Sequence, residues 1–111
     1  MQKIIISLKS RDAKKLAEFY GKVFDLFVED KSASKSIFYS CKDAYGNGVF
    51  IEQDNEDTSN VTMNFFMSNS EEKKKLLRNM GVELYYAEHK DSVFCFNDPQ
   101  GNNLKIYHDK N

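Results

Sequence analysis

The stretch "DPQGNNLKIYH", residues 98–108, decides how the last part of this chain folds. It holds the only proline, Pro99, and Gly101 follows two residues later, a combination typical of a tight turn. After the turn, polar and apolar side chains alternate, which predicts a half-buried β-strand. Lys105 stands at the middle of the polar face of that strand. The stretch therefore predicts a turn that begins a strand with a lysine on its open face.

The strand that contains Lys105 is the last element of an order that occurs two times along the chain. The segment "IIISLKS" predicts a strand, and Asp12 follows as a suitable helix N-cap. Apolar side chains at helical spacing predict an amphipathic helix next: Leu16, Phe19, Tyr20 and Val23. Three short strand segments come after it: "LFVED", "SIFYSCKD" and "GVFIEQD". The second pass runs from the strand "VTMNFFM" through a helix to "VELYYAE", "SVFCFND" and "NNLKIYH".

This order predicts an α+β fold of two βαβββ modules. Eight strands and two helices would form curved mixed sheets around a concave cavity. The modules would span about residues 1–55 and 60–111 of a single domain that covers 1–111. A ferredoxin-like sandwich, βαββαβ, is the main rival, but it has fewer strands than the hairpin signals indicate.

Local signals punctuate both modules. We expect positive φ angles at Gly46, Asn47 and Gly48 in the hairpin turn "YGNG". Ser68 with Glu71 predicts a capping box at the start of the second helix. Gly81 has the position of a C-terminal cap for that helix.

The composition excludes several classes of function. Lys and Arg total 16 against 17 Asp and Glu, so nucleic acid is not an expected partner. The apolar run near the N-terminus is too short for a signal peptide or a membrane span, which predicts a cytoplasmic protein without a membrane partner. Cys41 and Cys95 lack redox or zinc spacing and are interpreted as buried free thiols. His89 and His108 are interpreted as surface residues.

Two stretches resemble the glyoxalase / bleomycin resistance / extradiol dioxygenase superfamily, also called vicinal oxygen chelate proteins. "SRDAKKLAEFYGKVFDL" resembles the family's first helix, with Asp12 seven residues before Phe19-Tyr20. Asp25 stands where a glycine is usual, in a turn whose left-handed backbone Asp tolerates. "FNDPQGNNLKIY" resembles the family's ending "DPdGn.iEl". With the repeated element order, the resemblance covers essentially the whole chain.

The resemblance implies four metal-ligand positions, one on each of four strands. They fall on Ile5, on Glu52, on Thr62 or, with a shift of two residues, Asn64, and on Lys105. Only Glu52 is a good ligand for a divalent ion, and an ammonium at Lys105 would set one cation beside another. No metal and no cofactor are therefore expected.

Alternation along the strands extends these positions to a predicted binding face. The expected ligand-binding residues are Ser7, Phe50, Glu52, Asn64, Phe66, Lys105 and Tyr107, with Asn103 beside them. The opposite set is expected to pack under the helices: Ile4, Ile6, Leu8, Met63, Phe65, Leu104 and Ile106. We hypothesise an ion pair between Glu52 and Lys105, with the ammonium free to meet a ligand oxygen.

Two classes of function stay open. The first is a small-molecule binding protein, similar to the bleomycin resistance proteins, with an aromatic cavity and no metal. The second is a metal-independent lyase or isomerase with Glu52 as general base and Lys105 as electrophile, the two candidate catalytic residues. A divalent-metal glyoxalase or dioxygenase is disfavoured by the missing ligands. The resemblance also implies a homodimer, with the cavity built within one chain or across two.

Overall fold

A computed structural model describes residues 2–86 and 93–109 of the chain. The first pass holds β1 (Ile5–Ser10), α1 (Ala13–Phe24), β2 (Phe27–Asp30), β3 (Phe38–Lys42) and β4 (Gly48–Gln53). The second holds β5 (Thr62–Met67), α2 (Ser70–Asn79), β6 (Tyr85–Tyr86), β7 (Val93–Asn97) and β8 (Asn103–His108). The predicted order of strand, helix and three strands, repeated once, is confirmed. His89 and the end of the predicted segment "VELYYAE" lie outside the described residues.

The chain divides into two compact units, the first ending at Ser59 and the second beginning at Asn60. Each unit contains one four-stranded mixed sheet, with the order β1-β4-β3-β2 in the first and β5-β8-β7-β6 in the second. Neither described helix is long and apolar enough to cross a membrane.

The two sheets share one register. The parallel pair of β1 and β4 aligns Ile5 with Gly48, and the parallel pair of β5 and β8 aligns Thr62 with Asn103. In both pairs the first residue of one strand is opposite the first residue of the other. Each position of β1 therefore has a counterpart in β5, and each position of β4 has one in β8.

In the first unit, helix α1 covers one face of the sheet and lies mainly over β3 and β4. The Asp12 carboxylate accepts a hydrogen bond from the Lys15 N–H at 3.1 Å, so the predicted N-cap is confirmed. Asp25 ends the helix in the left-handed conformation, with φ of 55°. The buried core joins helix and sheet through Leu8, Leu16, Ala17, Tyr20, Val23, Cys41, Val49 and Ile51.

The prediction for β1 is wrong at two positions. Leu8 is buried, but Ile4 is 65% exposed and Ile6 is 39% exposed. β1 is the edge strand of its sheet and α1 lies mainly over the inner strands, so the helix does not shield the start of β1. Met63, Leu104 and Ile106 are buried as predicted, and Phe65 is partly buried.

The second helix begins differently from the prediction. Its N-cap is Asn69, without a side-chain capping bond, so the capping box of Ser68 and Glu71 is wrong. The Glu71 carboxylate instead pairs with the Lys74 ammonium at 3.0 Å. Gly81 has a φ of 79° directly after the helix, in agreement with its predicted capping role.

Both units close their last hairpin with the same five-residue turn, Asp-x-x-Gly-Asn, at residues 43–47 and 98–102. Gly46 has φ of 87° and Gly101 has φ of 99°, the conformation that favours glycine. In each turn the amide of the Asn accepts a bond from the backbone N–H that precedes the unit's first strand: Asn47 from Ile4 at 2.7 Å and Asn102 from Val61 at 2.9 Å. The turn thus fastens the last strand of each unit to the first.

The positive φ angles predicted at Asn47 and Gly48 are wrong. Gly48 is required for space instead: a Cβ there would lie 1.9 Å from the carbonyl oxygen of Cys41 on the neighbouring strand. The close approach of β3 and β4 therefore depends on the missing side chain.

Candidate functional site

In each sheet, one face packs against the helix and the other carries the residues predicted to bind a ligand. We call the second the open face of its unit. On the first unit's open face, Ser7 is the register partner of Phe50, and Glu52 lies two residues farther along the same strand. On the second unit's open face, Asn64 is opposite Lys105 and Phe66 is opposite Tyr107. The structure therefore brings the predicted residues together as two groups, one in each unit.

On the first open face, neighbours surround the aromatic side chain. The Phe38 ring meets the Phe50 ring edge-on at 5.2 Å between centroids. The Lys42 ammonium lies 5.2 Å from the centroid of the Phe50 ring, within cation–π distance. Sequence reasoning missed both neighbours. They follow from the register of the β3–β4 hairpin, which puts Ser40 opposite Phe50 and so places Phe38 and Lys42 on its two diagonals.

Lys9 on the first open face has partners of opposite sign. The Lys9 ammonium lies 3.3 Å from an Asp57 oxygen and 3.9 Å from an Asp54 oxygen. The hydrogen bond to Asp57, followed by the charges of Asp57, Asp54 and Glu52, raises the pKa of Lys9. Glu52 is the register partner of Lys9 on the neighbouring strand, and its charge acts on Lys9 from there.

The second open face is dominated by an exposed aromatic pair. The Phe66 and Tyr107 rings are stacked, with 4.7 Å between centroids and 18° between planes. Phe66 is nevertheless 67% exposed, so part of its ring surface faces solvent. Lys105 and Asn64, the preceding register pair on the same face, are partly buried and exposed respectively.

Among the described residues, Lys105 is the only side chain of the second open face that is charged at neutral pH. The positions given to that face by the registers of the four strands are Thr62, Asn64, Phe66, Tyr85, Val93, Cys95, Asn97, Asn103, Lys105 and Tyr107. Within the described residues of its own unit, 60–86 and 93–109, the Lys105 ammonium makes no hydrogen bond or ion pair, and the Asn64 amide makes no hydrogen bond. The proposed ion pair of Lys105 with Glu52 would join two units and stays a prediction.

The donor atoms at the implied metal positions do not fit a divalent ion. The shared register makes Phe50 the counterpart of Lys105 and Tyr107 the counterpart of Glu52. Glu52 therefore lies one two-residue step beyond the position that matches Lys105. Three of the implied positions carry a hydrocarbon (Ile5), a hydroxyl (Thr62) and an ammonium (Lys105). The Glu52 carboxylate is the one good ligand among the four positions, which is too few for a divalent ion. Among the described residues, no group of three or more His, Cys, Asp or Glu is placed to bind one.

The cysteines and His108 have structural surroundings. Both Cys41 and Cys95 are free thiols and buried, as predicted. Burial raises the pKa of the Cys41 thiol to about 11, so it is a poor nucleophile at neutral pH. His108 is exposed, and its Nδ1 lies 2.9 Å from the Ser70 hydroxyl. The sequence did not predict this contact, which links the end of β8 to the start of α2.

No protein-family model matches the chain, and no curated protein matches it. Solved structures do. The oxidase ChaP-H2 superposes with a TM-score of 0.77 at 18% identity, covering 98% of this chain and 94% of that chain. A variant of the fosfomycin resistance protein FosX from Listeria monocytogenes, in complex with Mn(II) and 1S,2S-dihydroxypropylphosphonic acid, has a TM-score of 0.76 at 17% identity, covering 92% and 87%.

An antibiotic-binding protein, TnmS3 from Streptomyces sp. CB03234, is also similar, with a TM-score of 0.73 at 14% identity over 97% of this chain and 95% of that chain. At such identities the likeness shows a common fold. It leaves ligand and chemistry to the residues of each protein.

Proposed function

We propose that this chain, which has the fold of the glyoxalase / bleomycin resistance / extradiol dioxygenase superfamily, binds a small planar organic molecule without a metal. The observation that carries the proposal is Phe66, which is stacked on Tyr107 yet 67% exposed on a sheet face with polar side chains beside it. Aromatic side chains with a few polar groups are the usual lining of a small-molecule site.

The similar structures support binding as the common theme. FosX was solved with a small phosphonate and Mn(II), and TnmS3 is described as antibiotic-binding. For this chain we propose the organic ligand and not the metal, because the residues at the implied metal positions include Ile5, Thr62 and Lys105.

A ligand screen by thermal shift, combined with metal analysis of the purified protein, tests this proposal. A ligand at about a hundred times its Kd stabilises a folded protein by about 2.7 kcal/mol, enough to raise the Tm by several degrees. We expect planar aromatic compounds to raise the Tm of the wild-type protein and the Phe66→Ala variant to lose most of that rise.

Tyr45→Ala is the matched control, because Tyr45 is also 67% exposed but lies in the turn between β3 and β4. It should respond to ligand as the wild type does. A screen in which no planar compound raises the Tm would contradict the binding function. Stoichiometric divalent metal in the purified protein would contradict the metal-free part.

Two further expectations accompany the proposal. The resemblance predicts a homodimer of this 12.9 kDa chain, and light scattering would distinguish a dimer from a monomer by its doubled mass. A cytoplasmic location is proposed from the short apolar run at the N-terminus, and cell fractionation tests it.

A further inference from the structure

We infer that the ligand of the second open face is an aromatic carboxylate, held by Lys105 and Asn64 at its acid group and by Phe66 at its ring. The inference rests on the proposed function and adds the chemical class of the ligand. It follows from the charge, the hydrogen-bonding state and the spacing of these three residues.

The first step concerns charge. The second open face carries one cation, Lys105, and no carboxylate among the residues assigned to it by the strand registers. A neutral ligand that displaced water from this face would leave the ammonium without a counter-charge, at a cost in free energy. A cationic ligand would add repulsion. An anionic ligand supplies the missing charge.

The second step concerns hydrogen bonds. Lys105 is partly buried, and among the described residues of its own unit, 60–86 and 93–109, its ammonium has no acceptor. Asn64, opposite it on β5, has a side-chain amide that is likewise unused within the same residues. The two adjacent groups offer N–H donors to one acceptor group. A carboxylate has two oxygens and accepts both, in charge-assisted bonds that are stronger than neutral ones.

The third step concerns spacing. Phe66 follows Asn64 by two residues on β5, and Tyr107 follows Lys105 by two residues on β8. Two residues of a strand span about 6.6 Å. A ring that carries its carboxylate directly can therefore stack on the exposed surface of Phe66 while the acid group meets Lys105 and Asn64. A long linker between ring and acid would overshoot this distance.

Matched pairs of aromatic acids and their primary amides test the inference. Benzoate with benzamide and 2-naphthoate with 2-naphthamide keep the ring and the shape but differ in charge. Binding of each compound to the full chain would be measured by isothermal titration calorimetry or ligand-observed NMR. We expect each acid to bind about ten- to a hundredfold more tightly than its amide, the range for a hydrogen bond to a charged group.

Lys105→Met should abolish the preference for the acid over the amide, and Asn64→Ala should reduce it. Lys75→Met is the control: it removes one exposed lysine from α2 in the same unit and should leave the preference unchanged. Circular dichroism would confirm that each variant is folded.

The outcomes separate the two proposals. Acids and amides that bind the wild type equally would overturn the inference and leave the proposed function in place. An acid preference that survives Lys105→Met in a folded protein would also overturn it. If neither member of any pair binds, the inference falls, and a positive thermal-shift screen with other planar compounds would still uphold the proposed function.

Discussion

The two open faces have the same strand register and opposite chemistry. On the first, Phe50 lies against Phe38 and Lys42, and Lys9 is surrounded by acids. On the second, Phe66 is exposed and the Lys105 ammonium has no acceptor among the described residues of its own unit. On the first face both the Phe50 ring and the Lys9 ammonium have a partner of their own unit, whereas on the second the Lys105 ammonium has none among the described residues of its unit. The proposed ligand site is therefore inferred from side chains without partners, and not from the fold that the two units have in common.

The largest expected effect concerns the strand pairing that supports the first open face. Gly48→Ala places a Cβ 1.9 Å from the backbone oxygen of Cys41, so the β3–β4 pair must move apart. We expect a loss of about 3 kcal/mol or more in the free energy of unfolding, measured by urea denaturation. The counterpart of Gly48 in the second unit is Asn103, which already has a Cβ. Asn103→Ala should therefore lower the free energy of unfolding by less than about 1 kcal/mol. Equal losses for the two variants would contradict the special requirement for glycine at residue 48.

A smaller effect compares the two Asp-x-x-Gly-Asn turns. Asp98 is buried, and its Oδ1 accepts bonds from the backbone N–H groups of Gln100, Gly101 and Asn102 at 2.9 to 3.0 Å. Asp43 is only partly buried, with bonds from Tyr45 and Asn47. Asp98→Ala should lower the free energy of unfolding by about 2–4 kcal/mol and Asp43→Ala by about 1 kcal/mol. The reason is that only Asp98→Ala leaves buried N–H donors without an acceptor. A larger loss for Asp43→Ala in denaturant unfolding would reverse this ranking.

The smallest effect is on acid sensitivity, and we expect it in both units. In the first unit, backbone N–H groups of Asp57 and Glu56 hold the pKa of Asp54 below its usual value of 3.8, and Lys9 adds to this. In the second, the hydrogen bond from Lys74 lowers the pKa of Glu71. A carboxyl whose folded-state pKa is depressed adds stability above its unfolded pKa and loses it as the pH falls through the folded one.

Asp54→Asn and Glu71→Gln should each therefore flatten the fall in Tm below about pH 4, with little change at pH 7 beyond the lost contact. Tm measured from pH 7 to pH 2 checks this. A Tm profile as steep as that of the wild type in both variants would show that these exposed carboxylates do not contribute.

Much of the fold could be predicted because its signals are local. The stripe of Leu16, Tyr20 and Val23, the cap at Asp12 and the turn glycine Gly46 each specify an element through neighbouring residues, and the structure confirms them. The start of the second helix differs by one residue from the predicted cap, since Asn69 and not Ser68 is the N-cap. The contact of Ser70 with His108 could not be predicted, because the two residues are distant in sequence. The exposure of Ile4 and Ile6 likewise depends on which strand lies at the sheet edge.

For the site, alternation correctly predicted which side chains share a face. What it could not supply was the register between strands, which pairs Asn64 with Lys105 and shifts Glu52 away from the counterpart position. Nor could it show that Lys42 lies over Phe50. One signal was present in the sequence: "DAYGN" and "DPQGN" match at three of five positions, and aligning them gives the common register directly.

That repeated turn has a consequence for how this protein can change. The Asp side chains of the turn accept bonds from backbone N–H groups within the turn, and the Asn side chains accept bonds from the backbone N–H groups of Ile4 and Val61. None of these bonds involves residue 50 or residue 105. The side chain that distinguishes one unit from the other is therefore mechanically independent of the device that aligns its strand. Substitution at residue 105 can change the charge of the proposed ligand site while the alignment of β8 stays as it is.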